Sequence, residues 1–375
     1  MSRLDARGVP VCRSRSRWAS VLAGLVALSF AAAGEAATPV TVRLNPHAEA
    51  VGADTLVTFG VPVPPGVLAS VDTVLVRDET GTEIPIFVKA SGQYATMPPA
   101  AMLCSGLSTT RAPGLRGVIV QFRRTFTSTA PLSFVVDLDA TPTQPRRAEE
   151  NARTGYRAAN EGSYTSSFGV QEPRVYAQLP ADWLSCSNLV ANERALNTSA
   201  VPNNVKTNLS TFFDRAVTPS ESQPYQTGSE PWLYDRATVF LTNYIRTGEL
   251  KYLREGVRAT QHYASLVNSS GYFSRANGDA KYAYNESPFL GYLLTGDGTL
   301  LPKIPLVAAA LRGAPDDDPM APGAFFTERH TAMRLHAAVT QYMNTGAVAD
   351  RNYIATAIGH IQTMQNNPMF RARAG

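Results

Sequence analysis

The sequence lacks the short motifs that mark several large enzyme classes. It contains no glycine-rich phosphate loop, CxxC pair, HExxH helix or GxSxG elbow. Those motifs supply a phosphate cradle, metal ligands or an activated nucleophile, so their absence disfavours nucleotide-binding, zinc and serine-hydrolase interpretations. We expect neither a cofactor nor a metal.

Cysteine is scarce, with 3 among 375 residues. Cys12 lies in a leader that we expect to be removed, which leaves Cys104 and Cys186. In an oxidising compartment these two side chains could form a disulfide. Two separate buried thiols are the alternative, because a single pair is not a disulfide framework.

The first residues have the pattern of a secretory signal. Five arginines precede an apolar run, Val21 to Ala33, which is followed by Gly34-Glu35-Ala36. A basic segment, a short apolar segment and small residues in this order predict a signal peptide over residues 1–36. The apolar run is too short to span a bilayer comfortably. We therefore expect a secreted or periplasmic protein that has no membrane association once the signal is removed.

The leader also carries most of the net charge. The whole chain has a formal charge of +4, of which the leader contributes +3 and the rest +1. A nearly neutral mature chain gives no support for binding to nucleic acid.

Residues 38–140 are predicted to form a β-domain, because short β-branched runs alternate with turn residues. The runs begin at Val40, Thr55, Val74, Ile84, Gly117 and Ser133. We expect a small antiparallel sandwich or barrel. Residues 141–204 are predicted to be an ordered linker lying across both domains, because Tyr176 and Trp183 would be costly to leave in water.

One short stretch occurs three times in the remaining part, residues 205–375. The copies are Tyr244 to Glu249, Tyr292 to Asp297 and Tyr342 to Ala347, each with Thr-Gly at the same place. The glycines lie 48 and 50 residues apart, a period that fits one two-helix unit per repeat. Each stretch is predicted to end a helix with the glycine in the left-handed conformation.

This period predicts three helical hairpins. Short turns join the two helices of each hairpin, whereas the long loops, Asn268 to Glu286 and Gly313 to Phe326, join one hairpin to the next. The alternation places both long loops at the same end of the array. Long loops on a rigid scaffold tend to carry function.

Hairpins with Tyr-x-x-Thr-Gly-Asp/Glu turns resemble the α/α toroids of secreted glycan lyases and hydrolases. The segment Phe59-Gly60-Val61-Pro62-Val63-Pro64-Pro65-Gly66 resembles the N-terminal domain of the exo-rhamnogalacturonan lyase-like family, in which a β-domain precedes an α/α toroid. The resemblance covers most of the chain after the leader and implies an α+β multidomain fold. A closed toroid of six such hairpins needs on the order of 300 residues. Three hairpins are therefore expected to form a partial, truncated ring, whose open edge allows self-association.

The resemblance implies that the first helix of each hairpin is the inner one, with its N-terminus at the long-loop end. The candidate site residues at these N-termini are Trp232, Tyr234, Asp235 and Arg236, then Tyr282, Tyr284, Asn285 and Glu286, then Glu328, Arg329 and His330. Such a set suits a sugar site, because ring faces stack on aromatics while hydroxyls and carboxylates take the polar partners.

β-Elimination from a uronate requires a group that neutralises the carboxylate, a base for the proton at C5 and an acid for the leaving oxygen. The candidates for the first role are Arg236, Arg329 and Asn285, and those for the proton transfers are Tyr284, Tyr282 and His330. Hydrolysis would instead need two flanking carboxylates. The available pair is Asp235 with Glu286 or Glu328.

A structural interpretation stands beside these roles. Arg236 and Arg329 could form helix-end salt bridges with Asp235 and Glu328, and the tyrosines could pack against neighbouring helices. We predict that His336, six residues after His330, is packed or hydrogen bonded rather than catalytic.

The leading functional hypothesis is a secreted carbohydrate-active protein that acts as a polysaccharide lyase on an acidic, uronate-containing glycan. A non-catalytic glycan-binding protein or an inactive remnant is the second hypothesis, and a glycoside hydrolase is the third. In each case the expected partner is a polysaccharide or oligosaccharide.

Overall fold

The chain is an α+β protein in which antiparallel sheets are followed by a helical region of about eight helices, several packed as pairs. The structure, a computed structural model, describes residues 39–99, 104, 112–151, 156, 161–190, 195–196, 202–208, 211, 232–233, 235–313 and 328–366. The predicted leader lies outside these residues. The expectation of an antiparallel β-rich part followed by helices is confirmed.

Ten strands form three antiparallel sheets. A five-stranded sheet has the order β10 (Val175–Gln178), β1 (Val40–Pro46), β7 (Leu132–Asp137), β3 (Leu75–Arg77) and β4 (Glu83–Ile84). A three-stranded sheet has the order β2 (Asp54–Pro62), β6 (Leu115–Thr125) and β5 (Phe87–Gln93). A hairpin joins β8 (Ser163–Thr165) to β9 (Gln171–Pro173).

The β-branched runs of the sequence all contribute strands. The run that begins at Ile84 is divided between β4 and β5, since Pro85 has no N–H to continue a ladder. Strand β10 comes from the segment expected to be a linker, and it pairs with β1 from Arg43 opposite Gln178 to Pro46 opposite Val175. Trp183 in the same segment donates its indole N–H to the carbonyl of Pro62, at 2.7 Å.

The two larger sheets share one buried cluster. Phe122 on β6 stacks on Phe134 on β7 with ring centroids 5.5 Å apart. The cluster continues into the helices, where Tyr244, Leu253 and Leu293 belong to it. Sheets and helices therefore share a common core.

The helices follow the predicted hairpins. Helix α1 (Ala181–Cys186) and α2 (residues 203–208) come first. The remaining helices are α3 (Arg236–Thr247), α4 (Leu250–Ser265), α5 (Glu286–Thr295), α6 (Lys303–Gly313), α7 (Glu328–Thr345) and α8 (Val348–Asn366).

The predicted role of the repeated stretch is confirmed. Gly248, Gly296 and Gly346 have φ values of +67°, +73° and +66°. Each glycine N–H donates to the carbonyl of the tyrosine four residues earlier, at 2.7, 2.8 and 2.7 Å. The threonine before each glycine donates its hydroxyl to the carbonyl of the residue four positions back and accepts from the N–H two positions on. The motif is thus a self-contained helix stop.

Helix α5 lies directly on the three-stranded sheet. A Cβ placed on Gly60 of β2 would stand 1.8 Å from the carbonyl oxygen of Leu293, so the sequence needs glycine at this point. The turn that ends α5 also contacts the sheet, where a Cβ on Gly296 would stand 2.7 Å from Ile119.

Cys104 and Cys186 form a disulfide, with their Cα atoms 5.5 Å apart. The pairing that the sequence left open is therefore present. Within the described part of the chain, no helix is long and apolar enough to cross a membrane.

We expect Gly60→Ala to destabilise the chain by about 3 kcal/mol, because α5 must move away from the sheet to admit the methyl group. Gly359→Ala on α8 is the matched control, since no described atom outside the helix backbone lies within 4 Å of its added Cβ. That control should stabilise by about 0.5–1 kcal/mol through helix propensity. Urea unfolding of the three chains measures both effects, and equal stability of G60A and the parent chain would contradict the close contact.

Candidate functional site

Three titratable side chains from three helices meet at the end of the helical region away from the sheet contacts. Asp235 is the N-cap of α3, Glu286 is the first residue of α5, and His336 lies in the middle of α7. The Nε2 atom of His336 stands 3.1 Å from Oε2 of Glu286. Asp235 interacts electrostatically with both. We call these three residues the acid–histidine cluster.

The backbone holds Asp235 in an uncommon conformation. Its φ of +46° lies in the left-handed region, which aspartate tolerates better than most residues. The carboxylate accepts hydrogen bonds from the backbone N–H of Thr238, at 3.2 Å, and from the Thr238 hydroxyl. Burial, helped by the negative charge of Glu286, nevertheless raises the pKa of Asp235 to about 6. This carboxyl group therefore changes its charge close to neutral pH.

The pKa of His336 is raised by its hydrogen bond to Glu286, with further contributions from the charges of Glu286 and Asp235. The imidazole side chain is 54% exposed, whereas that of Glu286 is 14% exposed. The cluster thus presents an accessible imidazole ring whose protonated form is favoured by the adjacent, largely buried carboxylate of Glu286. His336 is hydrogen bonded, as expected, but its partner is Glu286 of the predicted site. That contact makes His336 a candidate for catalysis, a role that the sequence analysis set aside.

Alignment of the three repeats on their turn glycines relates His336 to Glu286 and to the residue that binds Asp235. Counting ten residues back from the turn glycines gives Thr238, Glu286 and His336. The three positions are therefore equivalent in register, and Asp235 accepts a hydrogen bond from the first of them, Thr238. Choosing site residues by their distance from each helix start left His336 out of the predicted site, because α7 has 18 residues whereas α5 has 10.

The predicted aromatic residues lie mainly in a buried aromatic layer beneath the cluster. Trp232 is 1% exposed and stacks on His262 with centroids 5.4 Å apart. The Tyr284 hydroxyl lies 2.5 Å from the carbonyls of Leu233 and Lys281, to either of which it can donate. Tyr282 is half-buried, and its ring lies 6.4 Å from that of Phe273.

Two of the predicted polar residues hold the scaffold together. Asn285 donates from its amide to the carbonyls of Ala337 and Ile304, at 2.9 and 3.4 Å. Arg236 forms a salt bridge with Glu255, at 3.3 Å, rather than with the adjacent Asp235.

Glu255 belongs to a buried ionic network. Arg258 contacts Glu255 at 3.2 Å and Glu172 at 2.9 Å, and both carboxylate side chains are fully buried. Glu172 also accepts from the Tyr176 hydroxyl at 2.8 Å. The network ties α3 and α4 to strands β9 and β10, so these charges are engaged in holding the fold.

The remaining predicted site residues are only partly described. Tyr234 lies outside the described residues, and for Glu328 and Arg329 the structure gives the helical backbone but no side-chain surroundings. His330 is half-buried near the start of α7. Within the described residues, no three His, Cys, Asp or Glu side chains converge closely enough to hold a metal ion.

Proton linkage gives a test of the acid–histidine cluster. The raised pKa of Asp235 means that stability falls as the pH rises from 3.8 to about 6, and the raised pKa of His336 means a further loss as the pH passes through it. Asp235→Asn keeps the cap but removes the first loss, so above pH 6 it should be more stable than the parent chain by about 1–2 kcal/mol. The exposed Asp139→Asn is the control. Unfolding curves between pH 4 and 8 measure this, and parallel curves for D235N and the parent would contradict the assignment.

Comparisons of the chain with protein-family models, with curated proteins and with solved structures found no match. Inferences about function therefore rest on the residues and the geometry of this chain.

Proposed function

We propose that the chain is a secreted carbohydrate-active protein, a polysaccharide lyase that cleaves an acidic, uronate-containing glycan at the acid–histidine cluster. The observation that carries this proposal is the meeting of Asp235, Glu286 and an accessible His336 at one end of the helical hairpins. A carboxyl group with a pKa of about 6 near an imidazole is the kind of acid and base pair that elimination and hydrolysis of glycans require.

The scaffold that we propose is a partial α/α toroid behind a β sandwich or barrel. Contacts of α3 with α5 and of α5 with α7 support the toroid, because they link the first helices of successive hairpins. The stacking of Phe122 on Phe134 between the two larger sheets supports the sandwich.

In the proposed reaction, the ionised Asp235 takes the proton from C5 of the uronate. The bond between C4 and the leaving oxygen breaks as the double bond between C4 and C5 forms, and protonated His336 gives its proton to that oxygen. Glu286 keeps His336 protonated through the 3.1 Å contact. A base with a pKa of about 6 is ionised and still basic at neutral pH.

In this proposal the uronate carboxylate binds to helix N-termini and to basic side chains at the same site. The N-termini of α3 and α5 lie at the cluster, and helix N-termini favour anions. Arg329 and His330, in the first turn of α7, stay candidates for direct contact. Asn285 and Arg236 are assigned to positioning of the helices, since their side chains bind Ala337 and Glu255.

Hydrolysis is the second candidate function, and one observation favours it. Asp235 with a pKa of about 6 and the neighbouring carboxylate of Glu286 resemble an acid and base pair for a glycosidic bond. In that mechanism Asp235 must be protonated, so activity would fall as the pH rises above 6.

Export is part of the proposal. The leader pattern supports it, and so does the Cys104–Cys186 disulfide, because disulfides persist mainly in oxidising compartments.

The test is an assay of pectic, alginate and glycosaminoglycan substrates for the ultraviolet absorbance of unsaturated uronates. We expect the rate to rise through pH 6 as Asp235 ionises and to fall above the raised pKa of His336. His336→Gln and Glu286→Gln should lower kcat by about 100-fold or more. His360→Gln on the exposed face of α8 is the matched control and should leave the rate unchanged.

If the products instead have saturated reducing ends and form fastest below pH 6, the protein is a hydrolase and the lyase assignment is wrong. If the glycan binds but no new product forms, the proposed catalysis is wrong and the chain is a glycan-binding protein.

A further inference from the structure

The three repeated turns differ in what covers them. A Cβ on Gly248 would stand 3.1 Å from the carbonyl oxygen of Leu179, and one on Gly296 would stand 2.7 Å from Ile119. The same addition on Gly346 meets no described atom within 4 Å. Two copies of the turn are therefore docked on the β-rich part, while the third is open.

The tyrosines of the turns follow the same division. The Tyr244 hydroxyl accepts from the backbone N–H of Leu179 at 2.8 Å, and Tyr292 is 5% exposed. Tyr342 is half-buried, and no described residue hydrogen bonds to its hydroxyl. The Tyr-x-x-Thr-Gly turn therefore packs against the β-rich part in its first two copies but not in its third.

A cleft of about 500 Å³ lies beside the third turn. The end of β5 and the residues after it, from Gln93 to Thr96, form one wall, and the opposite wall comes from the end of α7 and the start of α8. Its volume falls within the range of small-molecule sites, roughly 300–1,000 Å³. Gly346 lies about 15 Å from His336 along α7, at a rise of about 1.5 Å per residue. The cleft is thus distinct from the acid–histidine cluster.

Four of the polar side chains that line the cleft are not used by the fold. Within the described part of the chain, no hydrogen bond or ion pair engages the side chains of Gln93, Thr96, Asn344 or Arg351. None of the described side chains that line it is a carboxylate. By contrast, the side chains of Asn285 and Arg236 are engaged, by a hydrogen bond to Ala337 and a salt bridge to Glu255.

We propose that this cleft is a second saccharide-binding site, which takes a short uronate-bearing oligosaccharide. The ring of Tyr342 provides a face for a sugar ring, and the amides of Gln93 and Asn344 and the hydroxyl of Thr96 match its hydroxyls. Arg351 is the cation for the carboxylate, with the planar donor geometry that suits it. The site does not depend on a reaction at His336.

The test is a methyl-resolved NMR titration of the full chain in a His336→Gln background, which blocks turnover. Trigalacturonate is the probe, and its fully methyl-esterified form is the uncharged counterpart. The Val348 methyls report on the cleft that they line, and the Met333 methyl reports on the layer beneath the acid–histidine cluster. Failure at one site is therefore distinguishable from failure at the other.

We expect a saturable shift of Val348 with trigalacturonate. Arg351→Gln should raise the Kd at Val348 by about 10-fold or more, because a charge-assisted hydrogen bond is lost. Asn344→Asp should weaken binding similarly through repulsion of the carboxylate. Arg43→Gln, the same change of charge at an exposed position on β1, is the control and should leave the Kd unchanged.

The ester should bind about 10-fold more weakly than the acid. Absence of a saturable Val348 shift would overturn the proposal. An unchanged Kd in Arg351→Gln, or equal Kd values for the acid and the ester, would also overturn it.

Discussion

Helix α5 is the element on which the rest of the structure depends. It is buried on all sides, since every residue from Ser287 to Thr295 is inaccessible or nearly so. On one side its backbone touches β2 at Gly60, and on another Gly291 approaches the side chain of Thr260 on α4. Such contacts require glycine on one partner, because protein interiors are packed too densely to absorb an extra methyl group. The sheet and the helical hairpins are thereby fixed to each other.

The two ends of α5 have different environments because of this packing. At its C-terminus the Thr-Gly-Asp turn is buried on the sheet, and Asp297 accepts hydrogen bonds from Thr299 and Gln261. At its N-terminus Glu286 lies near Asp235 and pairs with His336. Rigid docking at one end positions titratable groups at the other. Positioning of this kind is needed wherever protons are exchanged with a substrate.

Much of the fold could be predicted from the sequence because its signals are local. Alternating β-branched runs predict the strands, and each Thr-Gly turn closes its own hydrogen bonds, so neither requires knowledge of distant residues. Strand β10 was harder to predict, because its pairing with β1 joins residues more than a hundred positions apart in the chain.

The candidate site was less predictable than the fold. Residue type favoured Trp232 and Tyr284 as sugar platforms, but large aromatic rings are also the residues that best fill a core, and these two do so. Arg236, predicted to bind the substrate carboxylate, instead forms a salt bridge with the buried Glu255 on the next helix. His336 could have been found by alignment of the repeats on their glycines, since the equivalent position is occupied by Glu286 in the second unit.

Amide hydrogen exchange at the three turn glycines tests most directly the claim that two turns are docked and one is open. Gly248, Gly296 and Gly346 donate hydrogen bonds of 2.7, 2.8 and 2.7 Å to equivalent tyrosine carbonyls, so the bond itself does not distinguish them. Docking predicts that the first two exchange only through global unfolding, whereas Gly346 exchanges much faster through local opening. Equal exchange rates at all three glycines would contradict the claim.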